Sequence, residues 1–171
     1  IVMGGAKAST KVPVIKNFLP KAEAVLVGGV IANDILRAKG QDVQKSIVDK
    51  DAATLLNDVD LNDPKLVIPT DFVIDQEKFL DIGQKSITRF VEQIKTAKMV
   101  IWNGPMGLFE DERFMSATKA VAEAVASVPL SIIGGGDTIS AVNKLDLIDK
   151  YSFVSTGGGA MLAFLAGQEL P

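Results

Sequence analysis

Two lysines four residues apart, Lys7 and Lys11 in "GGAKASTK", and one aspartate, Asp137 in "IGGGDT", are the side chains best suited to chemistry in this chain of 171 amino acids. Histidine and cysteine are both absent. Their absence removes Ser-His-Asp and Cys-His catalysis, and imidazole or thiolate zinc sites, from within this sequence. Ammonium groups, carboxylates, backbone N–H groups and a bound metal remain, a set suited to holding phosphate. Lys7 and Lys11 flank Ser9-Thr10, which the pattern predicts as the N-cap of a helix carrying Pro13 in its first turn. Cations at a helix start oppose the helix dipole, so their placement there points to an anion. Asp137 has two compatible readings: an N-cap for "TISAVNKL", or a Mg²⁺ ligand acting beside nucleotide phosphates. Glu110, after Leu108-Phe109, suits a ribose or is a plain surface acid.

Glycine gathers where these residues stand. Gly4-Gly5 follows "IVM", Gly28-Gly29 follows "AVLV", "NGPMG" follows "VIW", Gly134-Gly135-Gly136 follows "SII", and Gly157-Gly158-Gly159 follows "FVST". Each cluster sits between an apolar β-type run and a helical pattern, where open parallel sheets bind ligands. One such corner is an ordinary turn, but five on one rim predict a binding surface. Glycine there lets main-chain N–H groups approach a ligand, and helix N-termini favour phosphate. The dinucleotide fingerprint GxGxxG is missing, because "GGGDTI" and "GGGAML" lack the last glycine. No Gly-Lys dipeptide exists, so the P-loop GxxxxGK[ST] is missing too.

The elements that must carry these residues alternate. Strands are predicted at 1–3, 24–27, 66–74, 99–102, 130–133 and 152–155. The helical patterns between them are "VPVIKNFLP", "VIANDILRAKG", "DAATLLNDV", "SITRFVEQIKTA", "ATKAVAEAVAS" and "TISAVNKLDL". Ile87, Phe90, Val91 and Ile94 recur at i, i+3, i+4 and i+7, one face of a helix. Such alternation predicts an α/β fold, a three-layer αβα arrangement around a doubly wound, mostly parallel six-stranded sheet of the Rossmann-like kind. A composition 47% hydrophobic and 23% charged, with net charge −3, is that of a globular domain and favours neither nucleic acid nor an anionic membrane as partner. No run is long and apolar enough to span a bilayer, and a cytoplasmic location is expected.

Taken together, "GGAKASTK", "VGGVIANDILRAKG", "WNGPMGLFE", "IGGGDT" and "VSTGGGAMLAFLAGQELP" resemble the C-terminal, nucleotide-binding domain of phosphoglycerate kinases, in that family's order from Ile1 to Pro171. The resemblance implies reversible phosphoryl transfer between 1,3-bisphosphoglycerate and MgADP, giving 3-phosphoglycerate and MgATP in glycolysis. It implies that Lys11 meets the nucleotide phosphates and Lys7 the transferring phosphoryl group. Asp137 becomes the Mg²⁺ ligand, with Gly135, Gly136 and Thr138 around the phosphates. Asn103 becomes a phosphate-side contact and Glu110 the ribose contact. Gly28, Gly29, Leu80, Pro105 and Leu108 become the adenine and ribose walls, and Gly158 and Gly159 the helix N-terminus facing the transferred group. Phosphoryl transfer needs positioning and charge stabilisation more than a nucleophilic side chain, which agrees with the residue set.

Two departures from the family accompany the resemblance. The phosphoglycerate-binding N-terminal half, with its basic patch and an arginine used in transfer, is missing, as is the segment that returns after "ELP". The expectation is one nucleotide-binding domain over 1–171, cut at both ends, monomeric, able to bind nucleotide and inactive alone. Between "IPTDFVI" and "FLDIG" only "DQEK" (75–78) stands where the family has a longer segment forming part of the adenine pocket. The competing readings are a non-catalytic adenine-nucleotide-binding module and a Rossmann-type dehydrogenase domain. Against the latter, "AVLVGG" ends in glycine where NAD sites place an acidic residue.

Overall fold

The computed structural model describes residues 1–170. Its strands are β1 (Val2–Met3), β2 (Val25–Val27), β3 (Leu66–Val67), β4 (Phe72–Asp75), β5 (Lys78–Ile82), β6 (Met99–Asn103), β7 (Leu130–Gly134) and β8 (Phe153–Ser155). Six of them form one parallel sheet in the order β3-β2-β1-β6-β7-β8, and β4 pairs with β5 in a separate antiparallel hairpin. Counted within the large sheet alone, the order is 3-2-1-4-5-6, the doubly wound arrangement whose direction reverses between β1 and β6. The helices are α1 (Ala8–Phe18), α2 (Gly29–Ala38), α3 (Ala52–Leu56), α4 (Gln84–Lys95), α5 (Ser116–Ala126), α6 (Gly136–Lys144) and α7 (Gly158–Leu165).

Alternation along the strands splits the core into two layers. Val2, Leu26, Val67, Val100, Trp102 and Ile133 face α4 and α5, whereas Met3, Val25, Val27, Leu66 and Ile101 face α1, α2, α3 and α7. Strands buried on both faces are expected in a parallel sheet covered by helices, and the predicted αβα architecture holds. Helix α4 presents Ile87, Phe90 and Ile94 inward, as its spacing predicts.

Three local expectations are corrected. The run at 66–74 is not one strand. It breaks at Pro69, which cannot donate to a ladder. Asp71 then turns the chain and caps α4, accepting from Lys85 N at 2.9 Å and Ser86 N at 2.8 Å. The second piece becomes β4, joined to β5 by a two-residue turn at Gln76 and Glu77, with φ of 48° and 59°. Positive φ at both central residues matches the right-handed twist of a tight hairpin. Helix α1 starts at Ala8 with Lys7 at its N-cap, so Ser9-Thr10 are not caps and Pro13 lies in the second turn. A carboxylate from elsewhere does the capping: Ala8 N donates to Asp49 Oδ2 at 3.2 Å. Nor is Asp137 an N-cap, because Gly135 holds that position in α6.

One buried carboxylate sets a pH dependence. Asp34 on α2 is 3% exposed; its Oδ1 accepts Asp49 N at 2.7 Å and its Oδ2 has no partner. Burial pushes its pKa up from 3.8 to about 6, against the hydrogen bond from Asp49. The folded state therefore favours the protonated acid. The stability this confers is complete below the unfolded value near 4 and lost as pH rises through the folded value near 6. Asp34→Asn keeps the Oδ1 acceptor and removes the buried charge. Its melting temperature should exceed that of the parent by roughly 5 °C at pH 7.5, with the gap closing by about pH 4. Thermal melts across that range check it.

Candidate functional site

The glycine rim is divided, and the division is visible in where the amides go. At the switch point between β1 and β6 the chain fills its own corners. Gly4 N donates to Asn103 O (2.9 Å), Gly5 N to Pro105 O (2.9 Å), Gly28 N to Met3 O (2.9 Å) and Gly29 N to Met106 O (2.8 Å). Val30 N, in the first turn of α2, donates to Gly5 O at 3.0 Å. At these three corners carbonyls from neighbouring turns take the amides, although Gly5, Gly29 and the 105–107 turn border the cavity described below.

The other two corners stay open. Gly135, at φ +96° and ψ 137°, adopts a conformation that side chains disfavour, and it starts α6. A Cβ on Gly158 would lie 2.9 Å from Gly135 Cα and 3.3 Å from Gly135 N, whereas one on Gly136 or Gly159 would meet nothing within 4 Å. The N-termini of α6 and α7 therefore abut through Gly135 and Gly158 and look outward through Gly136 and Gly159. No protein acceptor meets the amides of Gly136 or Gly159 among the described residues. Two helix N-termini side by side concentrate positive partial charge on one spot. Gly158→Ala should push them apart and weaken tripolyphosphate binding about tenfold, read by titration calorimetry, because backbone rather than a flexible side chain must move.

Asn103, at the end of β6, is 2% exposed and packs against Gly135, whose Cβ would lie 3.0 Å from its Nδ2. That Nδ2 is a buried donor with no acceptor. Thr138 has a different role from a phosphate contact through its side chain: it is fully buried and its Oγ1 accepts Gly104 N at 2.7 Å. With Trp102 Nε1 donating to Gly104 O (2.7 Å) and Met106 N to Thr118 Oγ1 (3.0 Å), it fixes the 103–106 turn.

Lys7 is exposed, and Lys11, one helical turn on, is 8% exposed. Lys11 forms no salt bridge among the described residues. Burial pushes its ammonium below the usual lysine range; Asp137 counteracts this and Lys7 adds to it. Lys7 and Lys11 thus share one electrostatic neighbourhood with Asp137, from which Lys7 is 130 positions away in sequence. Asp137 is exposed, in the first turn of α6, and its carboxylate makes no hydrogen bond among the described residues. No group of three or more acidic, His or Cys side chains able to hold a metal occurs among the described residues. One free carboxylate suits Mg²⁺ that arrives already bound to phosphate oxygens, and does not suit a resident ion.

Beside this polar end lies a cavity of ≈ 200 Å³. Gly29, Pro105, Leu108 and Glu110 border it, with Leu80 from the hairpin and Asp137 from α6. Gly28 is not on its wall and instead backs onto Met106. The β4–β5 hairpin supplies the roof: Phe72 and Phe79 stack at 4.3 Å and 15°, and Leu108 N donates to Leu80 O at 2.8 Å. Ion pairs hold the hairpin from both sides, Lys45 to Glu77 and Arg113 to Asp75. Asp81, 2% exposed, accepts Ala117 N at 3.0 Å and Ile82 N at 2.9 Å. Burial raises its pKa to about 6. It ties the β4–β5 hairpin to α5. Sequence reading missed Phe72, Phe79 and Asn33, all on this wall. Two short apolar runs, "FVI" and "FLDI", on either side of the polar "DQEK" were the available signal for the hairpin.

The phosphoglycerate kinase family model matches residues 1–168. Phosphoglycerate kinase of Pseudothermotoga lettingae is 42% identical over 196 positions, covering 100% of this chain and 49% of its own length. That of Chloroflexus aurantiacus is 42% identical over 197 positions, covering 99% and 49%. Among solved structures, phosphoglycerate kinase from Coxiella burnetii superposes with a TM-score of 0.89 at 34% identity, covering 99% of this chain and 50% of that one. The enzyme from Pyrococcus horikoshii gives 0.86 at 34%, covering 99% and 49%. The chain spans about half the length of the curated relatives it matches. The 196-position alignment exceeds the 171 residues by 25, so the relative carries residues without a counterpart here. A match along 168 positions, on a sheet of the same winding, establishes that the chain belongs to the phosphoglycerate kinase family.

Proposed function

We propose that residues 1–171 form the nucleotide-binding part of an enzyme that transfers the acyl phosphate of 1,3-bisphosphoglycerate to MgADP, and the reverse. In the forward direction the bond from phosphorus to the carboxyl oxygen breaks and a bond from phosphorus to a β-phosphate oxygen of ADP forms. The products are 3-phosphoglycerate and ATP, and no side chain need take or give a proton. The observation that carries this reading is the convergence of an unpaired, desolvated Lys11 with the open N-termini of α6 and α7, next to an apolar cavity.

In this reading the cavity takes the adenine between the hairpin and Pro105, and Glu110 at its mouth accepts from the ribose. Lys11 and the amides at Gly136 and Asp137 hold the nucleotide phosphates. Lys7 and the amides at Gly158 and Gly159 face the transferring group, whose charge spreads over its equatorial oxygens. Asn103, sealed behind Gly135, backs the phosphate side through that glycine. Asp137 would hold Mg²⁺, which supplies neutralisation of phosphate charge when bound. None of these steps calls on histidine or cysteine. The acidic substrate belongs to the part of the family's length outside this chain, and the assembled enzyme is placed in the cytoplasm as a monomer.

Titration calorimetry of the 171-residue chain with MgADP, MgATP and NAD tests the assignment. Binding of the first two without NAD supports it; NAD binding alone would replace it with the dehydrogenase reading. The same chain should show no turnover of 1,3-bisphosphoglycerate, and a normal kinase rate would refute the division of labour.

A further inference from the structure

The cavity that this reading gives to the base is apolar along most of its wall, and its buried polar side chains are Asn33 and Asp81. The Asp81 carboxylate is engaged by the main chain at Ala117 and Ile82. Asn33 is not fully engaged. It lies on α2, four residues beyond Gly29, and is 3% exposed. Its Nδ2 donates to Ile47 O at 3.1 Å, which fixes which way the amide faces. No donor meets its Oδ1 among the described residues, yet that oxygen is not among the sealed, unpartnered atoms that Asp34 Oδ2 and Asn103 Nδ2 represent. An acceptor held rigid, reachable from the cavity and without a protein donor is built to meet a donor on whatever enters.

Resting on the nucleotide reading, we infer that Asn33 is a specificity-determining residue, whose Oδ1 accepts from the exocyclic amine of adenine and disfavours purines that carry a carbonyl there. An acceptor facing a carbonyl leaves both oxygens unpaired and stripped of water, the arrangement that discriminates most strongly between otherwise similar ligands. Lys78, also on the wall, is half-exposed on the hairpin. It can turn its ammonium to water, so it imposes no matching demand.

The test compares ADP with IDP, which differ at that position by amine against carbonyl, by calorimetry in the presence of Mg²⁺ on the parent, Asn33→Leu and Asn33→Asp. The parent should bind ADP about tenfold more tightly than IDP. Asn33→Leu should bring the two to within twofold, with tripolyphosphate affinity unchanged. Asn33→Asp loses the bond to Ile47 as Leu does but keeps an acceptor, so it should retain the preference for ADP. Equal binding of ADP and IDP by the parent overturns the inference while leaving the nucleotide reading intact. So does a preference that survives Asn33→Leu, or one that both variants lose alike, the signature of an amide that only holds residue 47. Failure to bind either nucleotide removes both readings.

Discussion

Asp137→Ala is expected to weaken MgADP binding about 100-fold while leaving metal-free ADP binding unchanged or slightly tighter. The two signs follow from its neighbours. With Mg²⁺ present the carboxylate is a ligand, and a single one, since no acidic cluster stands behind it among the described residues. Without Mg²⁺ it is a negative charge beside Lys11, whose ammonium it stabilises. Its removal leaves the lysines to a trianionic ligand alone. The fold should barely respond, because Gly135 and not Asp137 occupies the N-cap and no amide depends on the carboxylate. What is lost is its favourable placement in the first turn of α6, about 0.3–1 kcal/mol. Calorimetry with and without Mg²⁺, together with a thermal melt, measures all three quantities. Equal loss in both nucleotide titrations would show that Asp137 acts on the shape of the turn and not on a metal.

Lys11→Met should reduce ADP affinity about 100-fold, and in the full-length enzyme lower turnover by 10²–10³ or more, yet leave the unliganded protein at least as stable. Methionine keeps the packing of the lysine stem at nearly the same volume. The ammonium it replaces is desolvated and has no salt-bridge partner. Because burial holds the folded-state pKa below the unfolded one, the charged form is disfavoured by folding. That cost is present at neutral pH and disappears only as pH rises through the lysine range. Removing the charge removes the cost. A melting temperature that rises or holds, beside a collapse in binding, is the mark of a group kept for its ligand. A large fall in melting temperature without ligand would assign Lys11 a structural purpose instead.

Both experiments probe the half of the site that was legible in the sequence. Lys7 and Lys11 stood out because lysine at a helix start runs against what stability alone favours, and Asp137 because it is the lone acid after three glycines. The cavity was less legible. "FVIDQEKFLDI" reads as one strand end followed by a short link until β4 and β5 are seen to pair around Gln76 and Glu77. That hairpin covers the cavity with Phe72 and Phe79.

By itself the sequence determined the αβα architecture, since the apolar periods of strands and helices are local and alternate without a break. It also narrowed the chemistry to ammonium groups, carboxylates, backbone N–H groups and bound metal, since histidine and cysteine are excluded by composition alone. Only the tertiary structure decided which glycine corners keep their amides free. Gly28 and Gly159 look alike in sequence, but a neighbouring carbonyl takes the amide of the first and nothing lies within 4 Å of a Cβ on the second. Glycine records that something comes close without recording what. Whether that is the chain's own backbone or a phosphate depends on contacts between residues far apart in sequence, such as Gly29 with Met106 and Gly135 with Gly158.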